Sequence, residues 1–464
     1  MSARRYSLKG IPVGLIMATN MPGQMAGRRR LWLRRLIFIV VVAAVFAASY
    51  FWGRHVEPRP KALDAERVAL LTGATERPEQ VGGKTPYWRL RRGDETLYAA
   101  ESASWAPAVV GYGGPFDLLV VVAGSGDLDR VVLVRHNETP SYLENAAAFL
   151  SSFAGVSAAG PLVPGRDVDA ITRATVTSEA FAAATRVTSR KILNAALGRA
   201  VPLEGGKEKW DWPWALVAAA FFGAAIWVRR RPAEWVRVVF AAAAVAVLGF
   251  WAGRFVSIGD VGRLVLWKFP PFRPSLSLYL LLGGSGAVAL FFGNVYCGWL
   301  CPFGALAEIL YKLPFKKLTV APEFARRLSG LRFVILCVVV AAVVATWDLG
   351  ATAYEPFDDL FAYAAAGISL LFLVAVLGAS VFHYRFFCRY LCAAGALLGE
   401  VAAVGRPRRG LDCRECGECA RICPTAAVIV NREAIDATLC IECGRCRRLC
   451  EAERQAIKGR EKDF

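Results

Sequence analysis

The chain has 464 residues, of which 56% are hydrophobic, and a mean hydropathy of +0.40. This composition is too apolar for a soluble protein and predicts a membrane protein with soluble parts. The formal net charge is +18, and the basic residues lie mainly beside apolar stretches. This placement is typical of the cytoplasmic side of a membrane protein and argues against nucleic-acid binding.

Apolar stretches predict six transmembrane helices. They are Leu36–Trp52, Trp212–Val228, Val238–Trp251, Ser275–Tyr296, Phe333–Trp347 and Leu360–Phe382. The shortest three fall below the usual length of about 20 residues but have flanking aromatic or basic residues that reach the interface. No small-residue cleavage site follows the first stretch, so we expect an uncleaved anchor. Basic clusters on alternate connections predict that both termini are cytoplasmic, in a bacterial inner membrane.

The segment between the first two spans contains no cysteine and is long enough for one domain, which the topology places in the periplasm. Two runs predict β-strands, Asp117–Val122 and Arg130–Val134, and two others predict helices, Glu144–Phe153 and Ser178–Ala196. A mixed α+β domain is therefore expected.

Within this domain, Asp169–Thr175 resembles the flavinylation motif D-x-x-[S/T]-G-A-T of the FMN-binding domain. The resemblance implies that Thr175 carries FMN through a phosphodiester, attached by a flavin transferase. Arg173 stands where the motif has glycine, and Thr177 is an alternative acceptor; an unmodified structural segment is the other interpretation. The resemblance assigns the following residues to flavin binding: Thr175, Asp169, Thr172, Ala174, Gly113, Gly114, Glu138 and Thr139.

Two cysteine pairs, each with C-x3-C spacing, follow the fourth and sixth predicted spans. They are Cys297 with Cys301, and Cys388 with Cys392. The spacing puts two sulfurs one helical turn apart, and the topology puts both pairs on the cytoplasmic side. Four sulfurs converging there would bind a third cluster or a metal; a redox-active dithiol or two structural pairs are the alternatives.

Eight further cysteines near the C-terminus form two copies of the C-x2-C-x2-C-x3-C run of bacterial four-iron ferredoxins, in which the fourth cysteine ligates the other cluster. A third cysteine in each copy has no use in a tetrahedral zinc site, which disfavours zinc. The pattern predicts two [4Fe-4S] clusters. One is assigned to Cys413, Cys416, Cys419 and Cys450, and the other to Cys440, Cys443, Cys446 and Cys423.

The order of these features resembles the NosR/NirI family. The resulting fold class is a multidomain membrane protein with a periplasmic α+β FMN-binding domain, a six-helix transmembrane region and a C-terminal α+β module like bacterial ferredoxins. The expected boundaries are 1–53 for the N-terminus and anchor, 54–211 for the flavin domain, 212–404 for five helices with the C-x3-C pairs, and 405–464 for the ferredoxin module.

The resemblance implies electron transfer that supports denitrification. We expect electrons to pass between cytoplasmic donors or quinol, the iron–sulfur clusters and the flavin. They would then supply a periplasmic reductase, with nitrous oxide reductase favoured, or support the maturation of that reductase. A redox-sensing regulator, or an assembly factor for a metal site without net turnover, is the alternative. The three histidines, His55, His136 and His383, do not provide a paired haem site, so the sequence leaves open how electrons cross a core of about 30 Å.

Overall fold

The structure is a computed structural model that describes residues 21–56, 63–82, 86–107, 109, 111, 116–136, 146–170, 175–203, 210–229, 233–270, 272–318, 320–363, 367–405, 418–429 and 434–449. The chain divides into two units, Met1–Val45 and Phe46–Phe464. Helix α1 (Met21–Val56) begins in the first unit and ends in the second.

Residues 63–203 contain an antiparallel sheet, and we call this part the sheet domain. Its strands lie in sequence order and are β1 (Glu79–Val81), β2 (Tyr87–Arg92), β3 (Glu95–Glu101), β4 (Asp117–Ala123) and β5 (Leu128–Arg135). Its helices are α2 (Ala65–Thr72), α3 (Ser102–Trp105), α4 (Ala146–Ser151) and α5 (Thr175–Ala196). The α+β class is confirmed, as are the strands predicted near 117–122 and 130–134 and the helices predicted near 144–153 and 178–196.

Strand β4 forms the centre of the sheet domain because both of its faces are buried. Leu118 and Val120 pack into a core with Phe181 of α5, whereas Leu119 and Val121 pack into a second core with Val68 of α2. The alternation follows from the two-residue period of a strand. The sheet therefore lies between α2 on one face and α5 on the other.

Apolar helices make up most of residues 210–405. They are α6 (Trp212–Val228), α7 (Glu234–Ala243, continued by a π-helix at Ala244–Trp251), α8 (Ile258–Val265), α9 (Leu276–Phe292), a π-helix at Tyr296–Leu300, α10 (Pro302–Tyr311), α11 (Pro322–Leu328), α12 (Leu331–Thr346), a 3-10 turn at Gly350–Thr352, α13 (Pro356–Ala362), α14 (Gly367–Phe382), α15 (Phe386–Tyr390) and α16 (Ala393–Gly405). We call this part the helical bundle.

The number of candidate spans differs from the sequence prediction. Among the described residues, three helical stretches are long and apolar enough to cross a membrane, rather than six: Trp32–His55, Glu234–Trp251 and Pro322–Thr346. The other three predicted spans form helices of 16 or 17 residues, α6, α9 and α14. Helix α6 has the predicted bounds, whereas α9 and α14 are shorter than predicted. Helix α9 ends at Phe292, and the next residue, Gly293, adopts a positive φ of 85°.

The described part of the C-terminal module consists of residues 418–429 and 434–449. It contains α17 (Glu418–Arg421) and a two-stranded antiparallel sheet of β6 (Val428–Ile429) and β7 (Ala434–Ile435). The segment Thr438–Cys443, which we call the docking loop, connects this sheet to the next cysteines and contacts the helical bundle.

Candidate redox site

The two C-x3-C pairs occupy equivalent local structures. Cys297 lies in the π-helix Tyr296–Leu300, and Cys301 caps α10, where the backbone N–H of Gly304 donates to the Cys301 Sγ at 3.5 Å. Cys388 lies in α15, and Cys392 precedes α16, where the N–H of Gly395 donates to the Cys392 Sγ at 3.2 Å. The second cysteine of each pair thus lies at a helix N-terminus, which stabilises a thiolate.

The four thiols converge in the interior of the bundle, and we call them the four-cysteine site. Burial, together with the nearby thiol of Cys301, raises the pKa of the Cys297 and Cys388 thiols to about 12. Cys301, Cys388 and Cys392 also pack against one aromatic cluster that contains Phe303. The pairs predicted from the sequence therefore meet at one place.

A buried ion triad lies beside this site. Arg237 donates to Glu308 from Nε at 2.6 Å and from Nη2 at 2.8 Å, and Arg385 donates to the same carboxylate at 2.6 Å. All three side chains are at most 3% exposed. Burial alone would raise the pKa of Glu308, but the charges of Arg385 and Arg237 hold it well below its usual range.

The triad holds the cysteine loop in place. Arg385 donates to the carbonyl oxygens of Cys297 and Gly298, and Arg237 donates to that of Gly298 at 3.1 Å. A third buried arginine, Arg332, interacts electrostatically with Cys392 and Cys297. Two arginines against one glutamate leave a net positive charge in the triad, and the charges of Arg385 and Arg332 partly offset the effect of burial on the pKa of Cys297.

Two segments contact the loops of the four-cysteine site. Both belong to loops that the sequence predicts to lie on the outer side of the membrane. The hydroxyl of Tyr354 donates to the carbonyl of Leu391 at 3.3 Å and accepts from the N–H of Ala393 at 3.2 Å. The N–H of Val256 donates to the hydroxyl of Tyr296 at 2.6 Å. Both cysteine loops are thus hydrogen-bonded to these segments.

The loop that contains Val256 carries basic residues although the sequence predicts it to lie on the outer side of the membrane, where basic residues are less common. Two of these basic residues have acidic partners. Arg263 pairs with Asp260 at 2.7 Å, with both side chains buried, and Arg254 pairs with Asp211 at 3.5 Å. Pairing neutralises these charges locally, so they carry little information about sidedness.

In the C-terminal module, the cysteines assigned to one cluster lie near one another. Burial raises the pKa of the Cys446 thiol to about 12, and the neighbouring thiols of Cys440, Cys443 and Cys423 add to the effect. Cys423 belongs to the first run and the other three to the second, as the crossed assignment requires. Cys419 lies in α17. Cys413, Cys416 and Cys450 lie outside the described residues.

The docking loop rests directly on the first C-x3-C loop. The indole Nε1 of Trp299 donates to the carbonyl of Glu442 at 3.1 Å. A Cβ added to Gly298 would overlap the carbonyl oxygen of Ile441. Arg332 donates to the carbonyl of Thr438 at 2.8 Å. The two cysteine-bearing loops therefore touch backbone to backbone.

The donor sets fit iron–sulfur clusters better than single metal ions. Within the part of the chain that the structure describes, no three histidine, cysteine, aspartate or glutamate side chains are arranged to hold one metal ion. A cubane separates its four thiolates more widely than a tetrahedral zinc ion does. Four partly buried cysteines, amide N–H donors to two of their sulfurs and nearby arginines are suited to a negatively charged cluster.

The flavin motif lies at the start of α5. Asp169 is exposed, and its N–H donates to the hydroxyl of Ser152 at 3.0 Å. Thr175 is the first residue of α5, and a helix N-terminus is a favourable position for a phosphate because of the helix dipole. The alternative acceptor Thr177 is only 2% exposed, which disfavours enzymatic attachment there. Thr172, Ala174, Gly113, Gly114, Glu138, Thr139 and the side chain of Thr175 lie outside what the structure describes.

Sequence reasoning missed the residues that surround the four-cysteine site. Arg385 was counted only among the basic residues that follow the sixth predicted span, and Arg237, Glu308, Trp299 and Tyr354 were not singled out. One signal was present: Glu308 is a carboxylate inside an apolar segment, and such a residue usually has a partner.

Comparison with known families agrees with this organisation. The family model described as "FMN-binding domain" matches residues 111–189, which include Thr175. The model described as "4Fe-4S binding domain" matches residues 275–320 and 365–412, which include both C-x3-C pairs. No solved structure is significantly similar to the chain.

Three curated relatives illustrate the similarity. Protein NirI of Paracoccus denitrificans is 31% identical over 43% of this chain and 33% of its own length, and the regulatory protein NosR of Pseudomonas aeruginosa is 31% identical over 46% and 32%. An uncharacterised protein of Methanocaldococcus jannaschii is 32% identical over 40% of this chain and 76% of its own length. The matched region thus spans about a third of NirI and NosR.

Proposed function

We propose that this chain, which is similar to NirI and NosR over about a third of their length, carries electrons across a membrane between its C-terminal iron–sulfur module and a flavin on the sheet domain. The observation that carries this proposal is the position of the four-cysteine site. The docking loop contacts it at Gly298 and Trp299, and the segments at Tyr354 and Val256 contact it from other loops.

The proposed path addresses the problem of crossing the bilayer. A core of about 30 Å is too thick for one unassisted transfer. The sequence predicts the cysteine pairs at the cytoplasmic side, but both cysteine loops are hydrogen-bonded to segments of predicted outer loops. The four-cysteine site is therefore proposed to lie within the core, where a carrier divides the distance. The four-cysteine site has the donor set for such a carrier, a third iron–sulfur cluster, which when bound accepts and donates one electron at a time. The surrounding arginines offset its negative charge and exclude water.

We further propose that the C-terminal module is cytoplasmic and the sheet domain periplasmic, in the inner membrane of a bacterium. Reducing conditions inside keep the module's thiols free for iron, and the sheet domain has no cysteine. An outside-positive potential then favours outward electron flow by about 2.3 kcal/mol per charge per 100 mV. Donors are cytoplasmic reductants or quinol, and the acceptor is a periplasmic reductase, with nitrous oxide reductase favoured by the resemblance to NosR.

The flavin is proposed to be FMN bound covalently to Thr175. Coexpression with a flavin transferase should add one FMN, less water, to the protein, and fluorescence should survive denaturation. Thr175→Val keeps the shape of the side chain but lacks the hydroxyl, so fluorescence should disappear while the protein still folds. Thr75→Val, at an exposed threonine outside the motif, is the matched control. Fluorescence that persists in Thr175→Val would reject this acceptor.

Iron content tests the proposed clusters. Protein purified without oxygen should contain about twelve irons per chain, from two clusters in the module and one in the bundle. Replacing Cys301 and Cys392 with serine should lower the content to about eight irons and leave the module's EPR signals intact. A wild-type protein with only the module's iron would reject the carrier in the bundle.

Fusions to alkaline phosphatase test sidedness. A fusion after Ala195 should be active because the enzyme would be exported, and a fusion after Lys462 should be inactive. The reverse pattern would invert the proposed direction of transfer.

The second candidate function is redox sensing, or assembly of a metal site without net turnover. It is favoured by the description of the relative NosR as a regulatory protein. The same cofactors would then report the redox state of a donor pool. Sustained reduction of an outside acceptor, over many turnovers per chain, separates the carrier from the sensor.

A further inference from the structure

Within the proposed electron path, we infer that the cluster held by Cys440, Cys443, Cys446 and Cys423 is the direct partner of the four-cysteine site, and that Gly298 and Trp299 set the distance between them. This inference rests on the proposed function. The inference states which of the two ferredoxin clusters lies next to the four-cysteine site. The two cysteine runs have the same spacing, so the sequence alone does not distinguish the clusters.

The first contact joins the first C-x3-C loop to the second ferredoxin run. Gly298 and Trp299 lie between Cys297 and Cys301 in the sequence. Their partners, Ile441 and Glu442, lie between Cys440 and Cys443. The Gly298–Ile441 contact thus joins the residues that directly follow Cys297 and Cys440, and the Trp299–Glu442 contact joins the next residue of each loop.

The second contact joins the second C-x3-C loop to the last cysteine of the first run. Arg389 directly follows Cys388, and its Nη1 donates to the carbonyl of Pro424 at 3.3 Å. Pro424 directly follows Cys423. The guanidinium of Arg389 also contacts the imidazole of His383 at 3.2 Å, which restrains it within the bundle.

Both contacts lead to the same ligand set. The crossed assignment places Cys423 with Cys440, Cys443 and Cys446, and the first three of these thiols act electrostatically on that of Cys446. Each C-x3-C loop therefore touches the loops of this cluster. Transfer at the junction moves one electron, oxidising one cluster and reducing the other, and no bond or proton needs to change.

Gly298 and Trp299 are positioning residues at this junction. Any side chain at Gly298 would meet the Ile441 carbonyl, so glycine permits the shortest separation of the two loops. The Trp299 ring lies under the Arg237 guanidinium, 4.7 Å from it, while its N–H holds the Glu442 carbonyl. Trp299 thus connects the buried triad to the docking loop.

The test compares two glycine substitutions in the full-length, cluster-loaded protein. Gly298→Ala should push the docking loop away, whereas Gly286→Ala, with no atom within 4 Å of its added Cβ, should leave it in place. The first readout is the magnetic coupling between reduced clusters in EPR spectra. The second is hydrogen exchange of the backbone at residues 438–443, which needs no electron transfer.

Gly298→Ala should lose the magnetic coupling to the four-cysteine site and exchange faster at 438–443, with iron content unchanged. Trp299→Phe removes the N–H donor and keeps an aromatic ring, so it should show a smaller change in both readouts. This variant replaces Gly298→Ala as the test if Gly298→Ala fails to fold. Cys443→Ser should abolish the coupling, and Cys416→Ser should preserve it.

Unchanged coupling and exchange in Gly298→Ala, or coupling that disappears in Cys416→Ser but not in Cys443→Ser, would overturn the assigned order. The proposed function would survive that result, because twelve-iron protein would still hold all of the carriers. A wild-type protein without iron at the four-cysteine site would instead reject the proposed function, and this inference with it.

Discussion

The sheet domain and the helical bundle bury different kinds of side chain. The cores of the sheet domain consist of aliphatic and aromatic residues, such as Leu119 and Phe181, on the two faces of one sheet. The bundle additionally buries ions beside its cysteines, including Arg237, Glu308 and Arg385. Buried ions contribute little net stability compared with apolar residues of similar size, so their concentration at the four-cysteine site is better explained by the chemistry of that site.

The largest effect is expected from breaking the buried triad. Glu308→Ala leaves two buried guanidinium groups without their carboxylate, which should lower the free energy of unfolding by about 3–5 kcal/mol. Thermal unfolding of the detergent-solubilised protein, with iron content before heating, measures this. Glu323→Ala, at an exposed glutamate of α11, is the matched control. Equal melting temperatures for the two variants would show that the triad is not a structural element of the bundle.

A cavity in the sheet domain should have a local effect. Leu119→Ala removes a fully buried side chain from β4 and should cost that domain about 2–5 kcal/mol. Hydrogen exchange should rise across residues 87–135 while the module's EPR signals stay unchanged. Leu70→Ala, at a side chain that is 82% exposed, should change neither. Loss of iron in Leu119→Ala would contradict the independence of the two regions.

The sheet domain has its own buried carboxylate, Asp117, and it predicts a pH effect. Burial raises the pKa of Asp117, while its Oδ1 accepts from the N–H of Ala103 at 2.9 Å; Glu101 and Arg135 are nearby charges. Because the folded state holds the proton more tightly than the unfolded state, stability should fall as pH rises above the ordinary aspartate value of 3.8 through the raised pKa.

Asp117→Asn retains an acceptor without the ionisation, so the pH dependence in this window should flatten. Hydrogen exchange of the sheet domain at a series of pH values, corrected for intrinsic rates, measures it. Asp94→Asn, at an exposed aspartate in the turn between β2 and β3, is the control. A wild-type domain that gains stability from Asp117 as pH rises would reverse the sign and refute the argument.

The smallest effect is expected at the exposed rim of the docking contact. Glu234 accepts from Arg448 at 2.9 Å and from Arg445 at 3.2 Å, but its side chain is 46% exposed. Glu234→Gln should therefore change the free energy of docking by about 0–1 kcal/mol, and only at low salt. Gly298→Ala should weaken docking at any salt concentration. Exchange at residues 438–443 at two salt concentrations distinguishes them. A larger effect of Glu234→Gln would mean that charges, rather than backbone contact, hold the module.

Local patterns predicted much of this organisation. Strands β4 and β5 and helix α5 follow from runs of apolar residues, and the cysteine spacings follow from cluster chemistry. By contrast, β2 was missed because its sequence, Tyr87–Arg92, carries three arginines, and its pairing with β1 and β3 makes it a strand. Helix α16 was missed because it is rich in alanine and glycine and lacks the length of a span.

The surroundings of the candidate site depend on contacts between residues far apart in sequence. Glu308 lies 71 residues from Arg237 and 77 from Arg385, and Trp299 lies 143 residues from Glu442. No local pattern specifies such partners, since each of these residues is also common at the ends of membrane helices. The convergence of the two C-x3-C pairs was anticipated from their spacing, but their contacts with Tyr354 and the docking loop required the structure.

The most direct test of the central claim is electron transfer across a vesicle membrane. Proteoliposomes are prepared with the sheet domain outside and a membrane-impermeant reductant trapped inside, and the absorbance of the covalent flavin is followed with no reductant outside. We expect the flavin to be reduced in the wild type and to stay oxidised in the Cys301→Ser, Cys392→Ser double variant that keeps the module's clusters. Equal flavin reduction in the two proteins, or none in a wild type loaded with all of its cofactors, would contradict transfer through the four-cysteine site.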